Sequence, residues 1–285
     1  MNELKQPTSI DEQIAILERH GCIVSDTSLA TEVLSTINYY RFSAYFLPFK
    51  QPDGNYKAET TFEKVLKLYE FDREFRALLF SAIECIEVAL RARLSYLHGL
   101  KYGSLGYLDS ANFNSRHDEI KFHSNLQREI SSNHKVPFVK HHLENYDGKF
   151  PLWVISELFT FGMLSYFYSD MLTKDKKEIA RQYNTNYKVL GSWLRCCTDA
   201  RNICAHYGRL YYRVFTAAPS GFDLPESVRH RAWAVMLVIK ALYPSKDKWL
   251  AEFMPHMTSL MEKYKDNINL YHLAFPENWC EELNK

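Results

Sequence analysis

The sequence predicts an all-α protein. Three observations carry this: apolar residues recur at helical spacing, no segment shows convincing strand alternation, and only 10 Gly and 10 Pro interrupt 285 residues. The scarcity of glycine, with neither a GxxxxGK nor a GxGxxG loop, argues against a nucleotide-binding α/β fold. Hydrophobic residues at 46% and charged residues at 24% describe globular material, enough for one large domain or two small ones.

From the N-terminus, Ser9-Ile10-Asp11-Glu12 reads as a capping box opening a helix with Ile14, Ile16 and Leu17. A second helix is expected from about Ser28 to Asn38, followed by the aromatic segment NYYRFSAYFLPF. The Gln51-Pro52-Asp53-Gly54 turn divides an N-terminal helical extension (1–54), expected to pack on the core, from a main helical domain (55–285).

Thr60-Thr61-Phe62-Glu63 caps a long helix expected to reach about His98, with Gly99 and Gly103 stopping it. Leu79, Ile83, Ile86, Leu90, Leu94 and Leu97 form its apolar face, and Glu87 falls on that face with Arg91 one turn on. Glu87 and Arg91 read as a salt-bridged pair at the core edge, or Glu87 as a buried carboxylate orienting a functional arginine from another helix.

Residues 100–150 are polar and less periodic. Their histidines (His117, His123, His134, His141, His142) are too irregularly spaced to suggest a metal site over a solvated loop region. Pro151 opens an aromatic helix. Its apolar stretch, Leu152 to Tyr168, is too short for a membrane span and carries Glu157 in its middle. Lys174 to Arg181 reads as a solvated helix start, and further helices are expected over Tyr187–Arg213 and Pro225–Tyr243.

Lys+Arg at 35 against Asp+Glu at 34 rules out a generally basic coat but not a local basic stripe. The six cysteines lack a CxxC spacing and read as reduced and mostly structural. The polar N-terminus has no apolar signal core, so a cytoplasmic protein without membrane attachment is expected.

The most informative stretch is WLRCCTDARNICAHYGRLYYR, 193–213. On a helical wheel Trp193, Cys197, Ala200, Cys204, Tyr207 and Tyr211 face the core. Arg195, Asn202, His206, Arg209 and Arg213 line the opposite side, with Arg201 off the stripe and Gly208 a possible early end to the helix. From 195 to 213 there are four arginines and one acid, Asp199. Imidazole exchanges protons near neutral pH and guanidinium holds phosphate bidentately, so the stripe fits a phosphodiester site; it equally fits a solvated basic face. No acidic cluster suited to Mg²⁺ accompanies it.

These residues resemble a known family. Arg201-Asn202-Ile203-Cys204-Ala205-His206 is similar to the Arg-x4–6-His motif of HEPN-domain ribonucleases, and the surrounding sequence resembles the Abi-like (abortive infection, Abi_2) bacterial proteins. The resemblance is carried by NYYRFS (38–43), by Tyr69 to Arg76 with Phe75 where Leu is usual, by Pro151 to Tyr168 and by Arg201 to Arg213. It covers roughly Ser9 to Tyr243. The Arg-x4–6-His spacing alone is weak, since Arg91/His98, Arg93/His98, Arg116/His123 and Arg128/His134 also match. Only Arg201/His206 has Asn after the Arg and sits in the family context.

The resemblance implies a HEPN-like helical bundle with an N-terminal extension, acting as an antiphage toxin. It implies metal-independent RNA cleavage by 2′-hydroxyl attack, leaving a 2′,3′-cyclic phosphate and a 5′-hydroxyl. Arg201, Asn202 and His206 would be the catalytic residues. Arg195, Arg209, Arg213 and Tyr212 would contact RNA. No cofactor, metal or DNA is expected. With one motif per chain, the implied site needs a homodimer across the motif helix. The alternative is a non-catalytic dimer that grips a structured RNA through the Arg/His stripe; a protein–protein scaffold is a third reading.

Overall fold

The structure, a computed structural model, describes Leu4 and residues 6–285. Among them the regular elements are helices alone, joined by turns and three isolated β-bridges. The all-α class stands.

Helix α1 (Ile10–Arg19) opens on the expected capping box: the Ser9 hydroxyl accepts from the Glu12 amide while Glu12 accepts from the Ser9 amide. Helix α2 (Thr27–Thr36) starts one residue earlier than expected, on an Asp26 cap. The aromatic run folds as a short helix, α3 (Tyr39–Ser43), and one 3₁₀ stretch over Ala44–Phe49. This N-terminal part packs into the same apolar core as the rest, through Ile14, Leu17, Phe42, Tyr45 and Phe46.

Helix α4 (Phe62–Tyr102) is the axis of the molecule, 41 residues and so about 60 Å long at 1.5 Å per residue. Thr61 caps it, accepting from the Lys64 amide. The six apolar positions read from the sequence are all buried. The helix passes straight through Gly99, where a Cβ would lie 3.5 Å from the Trp153 ring, and ends only at Gly103, whose φ of +78° suits glycine.

Residues 106–150 form short 3₁₀ turns, α5 (Glu119–Ser132) and α6 (Pro137–Asn145). The expected aromatic helix is broken. It consists of α7 (Leu152–Ile155), a 3₁₀ turn over Ser156–Leu158, and α8 (Phe161–Asp170). Thr160 caps α8, and the Phe159 carbonyl is taken by Arg91 of α4. Then come α9 (Thr173–Arg181) and α10 (Tyr187–Ala205), the latter packed on α4 and α8.

The remaining helices are α11 (Glu226–Arg229), α12 (Ala232–Leu242), α13 (Lys246–Lys248), α14 (Met254–Lys263) and α15 (Trp279–Asn284). A single continuous helix over Pro225–Tyr243 does not form. The chain is extended at Arg231, and the His230 carbonyl accepts from the Phe215 amide.

One buried carboxylate ties distant segments together. Asp72 of α4 is fully buried. It accepts from the Tyr45 hydroxyl at 2.6 Å, from the Leu210 amide at 3.1 Å and from the Tyr211 amide at 2.7 Å, and it pairs with Arg76 one turn on. Burial raises the Asp72 pKa, while Arg76, Tyr45 and the two amides pull it back.

Two outcomes follow. Asp72→Asn leaves Arg76 as an uncompensated buried charge and should cost about 3–5 kcal/mol, read from the urea midpoint. His98 is fully buried among Tyr102, Phe113 and Phe167, with neither ring nitrogen partnered, and burial pushes its pKa down to about 4. The folded chain therefore holds His98 neutral where the unfolded chain protonates it. Stability should fall by about 3 kcal/mol as pH drops from 6.5 toward 4. His98→Phe should remove that part of the acid sensitivity in urea titrations at several pH values.

Candidate active site

Helix α10 is fixed at its start by Asn186, whose side chain accepts from the Lys188 and Val189 amides. Its inward face is the one the wheel gave: Trp193, Cys197, Ala200 and Cys204 are buried. Burial raises the Cys204 thiol to about 12, which suits a packed thiol and not a reactive one.

The helix does not run on to Arg213. It ends at Ala205, with His206 as its C-cap residue and Tyr207 in the left-handed region at φ +57°. The Gly208 amide then donates to the Ile203 carbonyl at 2.7 Å. A Cβ on Gly208 would meet the Ile203 Cγ2 at 3.0 Å and its carbonyl oxygen at 3.2 Å, so a larger residue at this close reversal would have to push Ile203 aside. Beyond it, Leu210 and Tyr211 turn inward because their amides bond Asp72.

The continuous stripe from Arg195 to Arg213 is thereby corrected. Arg195, Asn202 and His206 are exposed on the outer face as expected, although Arg195 lies about 16 Å along the helix from His206. Arg209 turns toward the N-terminal segment. Its Nη1 donates to the Ala44 carbonyl, its guanidinium lies 5.9 Å from the Tyr45 ring centre, and burial lowers its pKa. Arg213 is half-buried with its Nε unpartnered, and Tyr212 stands 42% exposed at φ +61°. Tyr207, read as core-facing, is 69% exposed because it lies past the helix end.

Arg201 leaves the outer face for α4. Its Nε sits 3.8 Å from Glu87 Oε2, and its guanidinium lies 5.8 Å from the Phe80 ring centre. Glu87 also accepts from Arg91 Nη2 at 3.0 Å, and Arg91 Nη1 approaches Glu157 at 3.5 Å. Glu87 thus pairs with Arg91 at the core edge, and it also faces Arg201 from another helix. Burial raises its pKa, and Arg201 and Arg91 oppose that. The result is a basic group braced from beneath, next to an exposed amide and an exposed imidazole.

A groove of about 880 Å³ runs along α4 from Val88 to Leu100, floored by Ser95 and flanked by Tyr96 and Trp153. None of its lining residues belongs to Arg201–His206, and Arg91, which lines it, pairs with Glu87. Among the described residues no cluster of three or more His, Cys, Asp or Glu could hold a metal ion, and no helix is long and apolar enough to cross a membrane.

Sequence reasoning missed two supports of this site. Asp72 holds the loop after the motif, and Arg41 Nη1 donates to the Tyr207 carbonyl. The first had a signal: an Asp-x3-Arg pair set within a run of phenylalanines asks for a buried partner. The second, a contact across 166 residues, had none beyond its place in the NYYRFS segment.

The sequence model of the Abi-like protein family, Abi_2, matches residues 32–212. No curated protein and no solved structure matches the chain. The matched span takes in NYYRFS, Tyr69 to Arg76 and Pro151 to Tyr168 whole and the last segment from Arg201 to Tyr212, and the chain belongs to the Abi-like family.

Proposed function

We propose that this chain is a metal-independent HEPN-type endoribonuclease that acts as a toxin in abortive infection. The observation that carries this reading is the pairing at the end of α10: Arg201 braced by Glu87, beside Asn202 and His206 open to solvent.

In this reading the 2′-hydroxyl attacks the adjacent phosphate. One imidazole takes its proton, a second protonates the departing 5′-oxygen, and a 2′,3′-cyclic phosphate and a 5′-hydroxyl are left. Each chain offers one such imidazole, so the site is composite and two copies face one another across His206. Arg201 neutralises the scissile phosphate and Asn202 orients it. Glu87 is a positioning residue that fixes the Arg201 guanidinium. Arg195, Arg213 and Tyr212 contact RNA outside the scissile step, and Arg209 adds charge beside Arg213 while holding the N-terminal segment.

The first test incubates purified protein with total bacterial RNA in EDTA and analyses the product ends. His206→Ala should lower cleavage by about 10²–10⁴-fold with fold and dimer intact. Loss of RNA binding on Arg substitution, with no cleavage by the wild type, would favour the non-catalytic RNA-gripping dimer. A strictly monomeric chain in sedimentation equilibrium would sink the composite site. Glu87→Gln should lower kcat by about tenfold with KM little changed, because the brace matters most as charge develops on the phosphate.

A further inference from the structure

The loop that follows the motif meets two segments from elsewhere in the chain, and together they make a surface of unusual composition. Tyr212 stands edge-on to His272, with ring centres 5.0 Å apart, and the Arg231 guanidinium lies 5.6 Å from the Tyr212 ring centre. Tyr271, beside His272, is 75% exposed. The geometry is fixed by the main chain. The His272 carbonyl accepts from both the Tyr212 amide and Arg231 Nη2, and Tyr211 hydroxyl and His272 Nδ1 lie 2.9 Å apart.

Positive charge gathers here without acidic partners. Lys57 and Arg231 are the charges bearing on His272, and both, after burial, hold its pKa down. Arg213 bears on Arg209 in the same sense. Among the described residues none of Lys57, Arg213 and Arg231 forms an ion pair, whereas Arg229, two positions before Arg231, pairs with Glu226. Arg213 and Arg231 each keep an unpartnered Nε. In a chain with net charge +1, three unneutralised cations interleaved with exposed tyrosines call for an anion that also carries flat apolar rings.

We propose that Tyr207, Tyr212 and Tyr271, with Lys57, Arg213 and Arg231, form a track for single-stranded RNA leading away from His206. This rests on the RNA reading above and deepens it. Unpaired bases stack on the tyrosines, and the phosphates between them lie against the cations. A duplex hides its base faces and cannot use such rings. Tyr207 is the residue after His206, and Arg41 holds its carbonyl, so the track begins at the motif. Its far end, Arg231 and Tyr271, lies outside the span 32–212 that matches the family.

The test uses the full chain carrying His206→Ala and follows the fluorescence anisotropy of fluorescein-labelled oligouridine at several salt concentrations. Tyr271→Ala should weaken binding about tenfold. Arg231→Gln, checked for folding by circular dichroism, should lower the slope of log Kd against log salt by about 0.7. Tyr166→Ala, another exposed tyrosine, should change nothing, and duplex RNA should bind more weakly than the single strand. Unchanged binding in Tyr271→Ala and Arg231→Gln, or duplex RNA bound as tightly as the single strand, overturns the track and leaves the ribonuclease reading standing. No binding of any RNA overturns both.

Discussion

The whole arrangement hangs on the buried carboxylate of Asp72. It sits in the first third of the longest helix and receives a hydroxyl from the N-terminal segment, a guanidinium from its own helix and two amides from the loop after the motif. A carboxylate in such a place is costly unless its oxygens are saturated with donors. The donors come from segments far apart in sequence. Satisfying one charge therefore forces the N-terminal aromatic run, α4 and the motif loop into a single geometry. Arg41 on the Tyr207 carbonyl and Arg209 on the Ala44 carbonyl reinforce the same closure.

That convergence gives a physical meaning to the scattered segments that carry the resemblance. The NYYRFS run, the Tyr69–Arg76 segment and the Arg201–Arg213 stretch look like three unrelated segments when read along the chain. In space they are the parts of one clasp, with Asp72 and Arg76 at its centre. The polar residues of these blocks thus divide into two kinds. Arg41, Asp72 and Arg209 hold the backbone, with Arg76 supplying the countercharge to Asp72, while Asn202 and His206 face solvent.

Helix existence was legible where one face is apolar and the ends carry caps. The periodic leucines and isoleucines of α4 with Thr61 before them, and the capping box at Ser9, sufficed. Helix ends set by distant partners were not legible. The break at Phe159 depends on Arg91 taking a carbonyl, the end at Ala205 on Asp72 drawing in the next amides, and the break at Arg231 on the Phe215–His230 contact. The site shared this division. Asn202 and His206 lie where a helical wheel puts them, four residues apart on one face, but Arg201 took its direction from Glu87 across a helix interface, and Arg209 and Arg213 followed the loop and not the wheel.

The reach of the clasp has a consequence for how the protein comes into being. Asp72 and Tyr211 are separated by 139 residues, and Arg41 and Tyr207 by 166. A chain growing from its N-terminus contains Asp72 and its countercharge Arg76 long before it contains the two amides that complete the carboxylate's hydrogen bonds. The loop beside His206 therefore lacks its full attachment to Asp72 until translation has passed Tyr211. A chain that stops before Leu210 carries the Arg201–His206 segment but neither amide that ties the following loop to Asp72.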